Sequence, residues 1–240
     1  MIPRIIHQTY PEAAPPAEVA ANIDRLRSSN PGWQYRYYDD REIVGFIGNH
    51  YGAEMLEVYS RINPAYGAAR ADFFRYLLIY EVGGVYLDIK STASIPFDQV
   101  LTNDDQYILS FWPNRSGEVF QDWGMHDDLH GFRRGEFQNW HVIGVPRHPF
   151  LLAVINNVRS RILAYKPELH GVGPLSVIRT TGPIAYTLSI GPMLHDFSHR
   201  LADTHDKLGL VYNASDADGV VSHRNLFKVH YYDLSEPLVL

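Results

Sequence analysis

"ARADFFRYLLIYEVGGVYLDIK", Ala69–Lys90, reads as an apolar helix, a two-glycine turn and a buried strand that breaks on a charged pair. The helix is expected over residues 64–81, with Pro64 in its first turn and Gly83-Gly84 as its stop. Val85, Tyr86 and Leu87 form the strand, and Asp88 leaves its carboxyl end. In open α/β sheets ligands gather beyond the carboxyl ends of the strands. A carboxylate there is placed to hold a divalent cation that neutralises a bound diphosphate. Asp88 and Lys90, two residues apart, share a face of an extended strand, and a surface salt bridge is the plainer reading of the pair. Asp72 and Arg75, three apart, share a helix face, while Phe73, Phe74, Leu77 and Leu78 serve the core. That pair is either an intrahelical ion pair or a polar site. A carboxylate and a guanidinium together can grip adjacent sugar hydroxyls, one accepting and one donating.

Outward from this block the chain alternates strands and helices. "PRIIHQTY" is a short buried strand, residues 17–28 a helix with Val19, Ile23 and Leu26 at helical spacing, and "WQYRYYDD" an alternating strand. Residues 41–59 form one or two helices around "GNHYG". Downstream, "QYILSFW" and "FQNWHVIGVP" carry strands, and "HPFLLAVINNVRSRILAY" is a helix with a continuous apolar face. A further helix starts after "TTGP" and runs to about Arg200, "LGLVYNASDADGVV" suits a strand and a turn, and "LFKVHYYD" is a last strand. The alternation implies an α/β fold with a mainly parallel sheet. A single domain over 1–240 is expected, with room for a small inserted lobe around 103–135.

The 240 residues, 45% apolar and 20% charged, suit a soluble globular chain with a real core. A net charge of −6 with no basic stripe argues against nucleic acid. The absence of cysteine excludes disulfides, thiolate zinc sites and cysteine nucleophiles. "MIPRIIHQTY" is too short and too broken an apolar run for a signal peptide, and no stretch reaches the length of a membrane span. A cytoplasmic location is expected, with attachment to the cytosolic face of a membrane left open. The sixteen tyrosines and four tryptophans hint at sugar or base contacts beyond core packing.

Five blocks, "IPRIIHQTY", "NPGWQYRYYDD", "ARADFFRYLLIYEVGGVYLDIK", "NWHVIGVPRHPFL" and "TTGPIAYTLSI", fall in an order that resembles the DXD-motif sugar-binding-region glycosyltransferases. This is the group of the yeast Och1-type mannosyltransferases (glycosyltransferase family 32), to which the catalytic domains of clostridial toxins are distantly related. The resemblance covers Ile2 to about Ile190 and implies a GT-A type, Rossmann-like mixed, mainly parallel sheet flanked by helices. It implies an enzyme, a retaining hexosyltransferase, that moves a hexose from a nucleotide-sugar donor to a glycan or lipid-linked acceptor. UDP-hexose is the favoured donor, with GDP-mannose as the other candidate. The cofactor implied is a divalent metal, Mn2+ or Mg2+. By the same resemblance His7, Gln8 and Thr9 lie beside the nucleotide, and Asp72 and Arg75 contact the donor hexose. Tyr86 and Asp88 match the aromatic residue and first acid of the metal motif, and Asn139 lies near the donor sugar. Arg75→Ala is expected to cut turnover by orders of magnitude while leaving folding intact.

The family motif is usually Asp-x-Asp, whereas this chain has Asp88-Ile89-Lys90. Three readings follow, in order of preference. Asp88 and a late residue such as His230 hold the metal, with Lys90 outside its ligand shell. Or Lys90 itself supplies the positive charge at the diphosphate. Or the site is degenerate and the protein is a non-catalytic nucleotide-sugar or glycan binder. Elsewhere, Asp216-Ala217-Asp218 reads as a solvated turn. "MHDDLHG" (His126, Asp127, Asp128, His130) reads as an exposed loop or acceptor-side rim rather than a metal cluster. "GVGPLS" lacks the third glycine of a dinucleotide fingerprint.

Overall fold

The computed structural model describes residues 1–214 and 233–240. Its centre is a six-stranded sheet made of β1 (Ile5–Thr9), β2 (Gln34–Tyr38), β3 (Gly84–Leu87), β5 (Tyr107–Leu109), β6 (His141–Gly144) and β7 (Arg200–Leu201), in the order β2-β1-β3-β6-β5-β7. β1 runs parallel to β2 and to β3, and β5 parallel to β7; β6 alone is reversed and pairs antiparallel with β3 and β5. The mixed, mainly parallel sheet agrees with the sequence reading. A two-stranded ribbon, β4 (Thr92–Ala93) with β8 (Leu210–Val211), stands beside it.

Alternation along the strands divides the core into two layers. On one side Tyr38, Tyr86 and Val142 meet α3 (Gly67–Val82), α5 (Pro149–Leu163) and α8 (Pro183–Ile190) through Phe73, Phe74, Leu77, Phe150, Val154 and Ala185. On the other, Ile6, Val85, Leu87, Ile108 and Ile143 pack with Leu26 of α1 (Ala17–Ser29) and Phe97 of α4 (Phe97–Val100). Helix α3 is buried along nearly its whole length, as its near-uniform apolarity requires.

Local chemistry sets the boundaries. Asp39 caps α2 (Asp40–Ser60) with a capping box completed by Glu42, and Gly52, at φ 76°, breaks that helix within "GNHYG", around which the sequence left one or two helices open. Gly83 (φ 69°) and Gly84 (φ 108°) turn α3 into β3; a Cβ on Gly84 would lie 2.6 Å from the Ile5 carbonyl oxygen.

Some expected bounds shift. α3 begins at Gly67, because residues 63–66 form a turn closed by Tyr66 N–H on the Asn63 carbonyl. The helix after "TTGP" ends at Ile190, where Gly191-Pro192 tightens the chain into a single 3-10 turn. Two short helices unforeseen in the sequence, α6 (Pro167–His170) and α7 (Gly173–Thr180), precede it. The last strand expected in "LFKVHYYD" lies mostly outside the described residues. So do the Asp216-Ala217-Asp218 turn, His223 and His230.

Candidate active site

Register places the site. Pairing of Ile6 with Val85 and of Leu87 with His141 brings Thr9, Asp88 and Trp140 side by side at the carboxyl edge of β3, where the Asp88 N–H donates to the Trp140 carbonyl at 2.8 Å. The peptide then turns, with Ser91 N–H on the Asp88 carbonyl. Asp88 and Lys90 therefore no longer share an extended face, and their side chains part.

Asp88 goes to Arg75, at 2.8 Å. The guanidinium also reaches Asp72 at 3.2 Å, donates to the Asn139 and Ala71 carbonyls, and lies 4.8 Å from the centre of the Tyr86 ring. Asp72 accepts further hydrogen bonds from Asn139 Nδ2 (3.1 Å) and from Thr181 Oγ1 (3.0 Å). Tyr76 locks that arrangement, accepting from Asn139 Nδ2 and donating to the Thr181 carbonyl. One cation thus serves two carboxylates. Asp72 and Arg75 are 5% and 3% exposed, whereas the Asp88 side chain is 24% exposed. Burial pushes the Asp72 carboxyl up to about 6, against the pull of Arg75 and its hydrogen bonds. Arg75 is held protonated despite its burial, chiefly by Asp88.

Gln8 Nε2 donates to the Asp88 carbonyl at 3.0 Å and, more weakly, to that of Ser91, while Tyr35 O–H donates to Gln8 Oε1. Thr9 Oγ1 lies 3.1 Å from Tyr86 O–H, which reaches Asp88 Oδ1 at 3.4 Å. His7 sits deeper. Its Nε2–H donates to the Gly83 carbonyl, its Nδ1 meets Tyr38 O–H, and burial lowers its pKa to about 4. Lys90 Nζ donates to Tyr212 O–H at 2.7 Å and lies 4.0 Å from that ring's centre. Ser91 Oγ donates to the Tyr212 carbonyl, and Ala214 N–H to the Lys90 carbonyl. The structure therefore gathers Thr9, Asp72, Arg75, Tyr86, Asp88 and Asn139 into one bonded cluster. Gln8 fixes the backbone beneath it, Lys90 stands at its margin, and His7 is one layer inside.

A divalent ion here would need several oxygen or nitrogen ligands. Among the described residues no three histidines, aspartates or glutamates converge, and Asp88, the most open carboxylate of the cluster, is already paired with Arg75. The described residues do not by themselves make a metal site. "MHDDLHG" is likewise structural: His126 pairs with Glu136 at 2.7 Å, and Asp128 takes a forked pair of bonds from Arg179. In "GVGPLS", Gly173 opens α7 and its N–H donates to Tyr66 O–H, so the segment is a helix start.

The sequence offered no local cue to Thr181, Tyr76 or Tyr212, whose partners lie 109, 105 and 122 positions away. His141 was also missed. It is buried, and neither ring nitrogen has a hydrogen-bond partner among the described residues; burial lowers its pKa to about 3.

Residues 16–107 match the family model described as the glycosyltransferase sugar-binding region containing a DXD motif. Over that stretch the chain is similar to the sugar-binding region of the DXD glycosyltransferases. Relatives of this glycosyltransferase region include inositol phosphoceramide mannosyltransferase 1 of Schizosaccharomyces pombe, 26% identical over 160 residues, which are 65% of this chain and 43% of that protein. The initiation-specific alpha-1,6-mannosyltransferase of Candida albicans is 30% identical over 139 residues, covering 54% and 34% of the two chains. The chain thus spans less than half the length of these relatives. Among solved structures, the UDP-bound glycosyltransferase domain of the YGT toxin superposes with a TM-score of 0.58 at 9% identity, over 90% of this chain and 82% of that one. That likeness is one of fold, and the fold is of GT-A type. Among the described residues no helix is long and apolar enough to cross a membrane.

Proposed function

We propose that the protein transfers a hexose from a nucleotide-sugar to a hydroxyl of a glycan or lipid-linked acceptor, with retention at the anomeric carbon. The observation that carries this reading is the Asp72–Arg75–Asp88 cluster, closed on its inner side and open only through Asp88 at the carboxyl edge of β3. In this reading Asp88 faces the donor hexose and the adjoining phosphate, and Arg75 behind it fixes its carboxylate. Asn139 and Thr181 hold Asp72, so that Arg75 stays aimed at the edge. Lys90 takes the place of the second acid and puts its ammonium where negative charge develops on the departing diphosphate. The bond from the anomeric carbon to the diphosphate oxygen breaks, with its electron pair leaving on the nucleotide. The acceptor hydroxyl bonds the same carbon from the same face, and its proton passes to the departing phosphate oxygen. The names of the relatives favour mannose as the hexose, which moves GDP-mannose ahead of the UDP-hexose first expected. A single catalytic domain, with residues 103–135 as a lobe over the acceptor side, belongs to the same proposal.

A second reading, a nucleotide-sugar binder without turnover, is supported by the burial of Asp72 and Arg75, which lie out of a sugar's reach unless the cluster opens. Calorimetry with GDP and UDP, each with manganese and with excess chelator, tests both. Binding of one nucleotide, unchanged by chelator, is the expected result and supports Lys90 at the diphosphate. Binding that chelator abolishes would return the metal to Asp88 with a ligand outside the described residues. Failure of both nucleotides to bind would end the transfer reading. Binding without release of hexose to water or to any acceptor would favour the binder.

A further inference from the structure

The 110–137 segment leaves β5 toward the same edge as Asp88, since β5 and β3 both run antiparallel to β6. It carries a group of aromatic rings that reaches the candidate site. Tyr212, which holds Lys90, meets Trp140 at 5.4 Å, Trp112 at 5.1 Å and Trp123 at 6.5 Å between ring centres. Trp112 and Trp140 are buried, but Trp123 is 48% exposed. Its ring neighbours, Trp112, Phe120 and Tyr212, all meet it tilted or edge-on, at 54–87°, so none of these covers an indole face by stacking. The indole lies no farther from the Lys90 ammonium than the sum of two short separations, 4.0 Å to the Tyr212 ring and 6.5 Å beyond it.

The backbone is committed to this placement. Trp123 stands between Asp122 (φ 66°) and Gly124 (φ 73°), a left-handed residue on either side of one exposed aromatic. Asp122 is one of two described non-glycine residues in that region, a conformation that costs free energy and gathers at functional sites. Asn114 Nδ2 pins the Trp123 carbonyl at 2.7 Å, and Glu136, held by Trp112 and His126, fills the space where a Cβ on Gly124 would collide. The exposed charges of the segment are of both signs, Arg115, Arg133 and Arg134 against Glu118, Asp122, Asp127 and Asp128, so no single-sign field draws a phosphate-rich surface. A neutral occupant with an apolar face and a polar rim fits: a pyranose ring, whose C–H face stacks on an indole while its hydroxyls meet the polar side chains around it.

We infer that Trp123 is the acceptor platform, on which a sugar ring of the acceptor stacks beside the Lys90–Tyr212 pair. The inference rests on the transfer reading, which supplies the reason for an acceptor. Its test uses the full chain labelled with 15N and follows the four tryptophan indole N–H signals, the Trp123 signal being the one missing from Trp123→Tyr. Methyl α-mannopyranoside, methyl β-glucopyranoside and methyl β-galactopyranoside are titrated in turn. At least one is expected to shift the Trp123 signal saturably. Trp123→Ala is expected to weaken that sugar about tenfold, while Trp123→Tyr keeps most of the affinity and both variants keep the parent's nucleotide affinity. A silent Trp123 signal with all three sugars, or equal sugar affinity in parent and Trp123→Ala, overturns the platform. A chain that shifts at Trp123 but binds no nucleotide would leave a sugar-binding lobe and remove the transfer reading. Nucleotide binding with a silent Trp123 would do the reverse.

Discussion

Replacing Arg75 by methionine keeps the length of the side chain and removes the one cation shared by two carboxylates. Asp88 is open enough for water to take over, so its loss counts for little. Asp72, at 5% exposure, has no such recourse and keeps only Asn139 and Thr181. Removing one partner of a buried ion pair costs about 3–5 kcal/mol, which in a chain of this size lowers the melting temperature by roughly 10 °C. The penalty depends on pH. The Asp72 carboxyl is already raised to about 6 with Arg75 present, and without it the group gives up its charge more readily still. The loss is therefore expected in full at pH 8 and to shrink toward pH 5, where protonated Asp72 needs no counter-ion. Asp72→Asn added to Arg75→Met should recover a large part of it. Urea unfolding of the three variants at pH 5 and pH 8 measures all of this. An Arg75→Met midpoint equal to the parent's at pH 8, or a loss as large at pH 5, would refute the reasoning. The sequence alone suggested that Arg75 could be removed without harm to folding; the buried carboxylate beside it says otherwise.

Lys90→Met should weaken nucleoside diphosphate binding about tenfold, the worth of one charge-assisted contact, and an unchanged dissociation constant in calorimetry would remove Lys90 from the diphosphate. Gly84→Ala, at φ 108° and with its new Cβ 2.6 Å from the Ile5 carbonyl, should cost about 2–3 kcal/mol; a chemical-denaturation midpoint within error of the parent would contradict that contact. His7 and His141, with pKa values lowered by burial to about 4 and about 3, stay neutral when folded but take up protons near pH 6.5 when unfolded. Stability should therefore fall as pH drops below 6.5, by about 3–5 kcal/mol per group by pH 3, partly offset by Asp72, which gains about 3 kcal/mol as it protonates between pH 6 and 4. His141→Leu should flatten this acid limb and leave stability at pH 7.5 equal or higher, since a ring with no hydrogen-bond partner among the described residues is replaced by an apolar one; an unaltered pH profile would count against the neutral buried histidine.

The helix–turn–strand block was legible because each signal is local: an apolar helix, two glycines where φ is positive, and an apolar run cut off by Asp88. The Asp72–Arg75 pair followed from helical spacing. What could not be read is set by partners distant in the chain. The Asp88–Lys90 pair looks self-sufficient in sequence, yet the turn at Ser91 separates the two, and each is claimed by another element, Arg75 of α3 and Tyr212 after β8. The reversal of β6 is equally silent, since "HVIG" is apolar in either direction. Trp123 stood unnoticed in a segment with no periodicity, where only the left-handed residues on either side of it show that its exposure is built in.

The position of β3 between β1 and β6 also bears on synthesis. Its hydrogen-bonding neighbours come from residues 5–9 on one side and 141–144 on the other, and Asp72 waits for a hydroxyl at position 181. A nascent chain that has emerged as far as Gly84–Leu87 can pair that strand on one edge only. It then holds a carboxylate and a guanidinium without their later partners, until nearly a hundred more residues have left the ribosome. Such long-range closure is slow and exposes unpaired strand edge on the way. The charged cluster therefore cannot close before Thr181 has emerged, and fragments that stop short of Thr181 are expected to collect as aggregates rather than as a smaller folded unit.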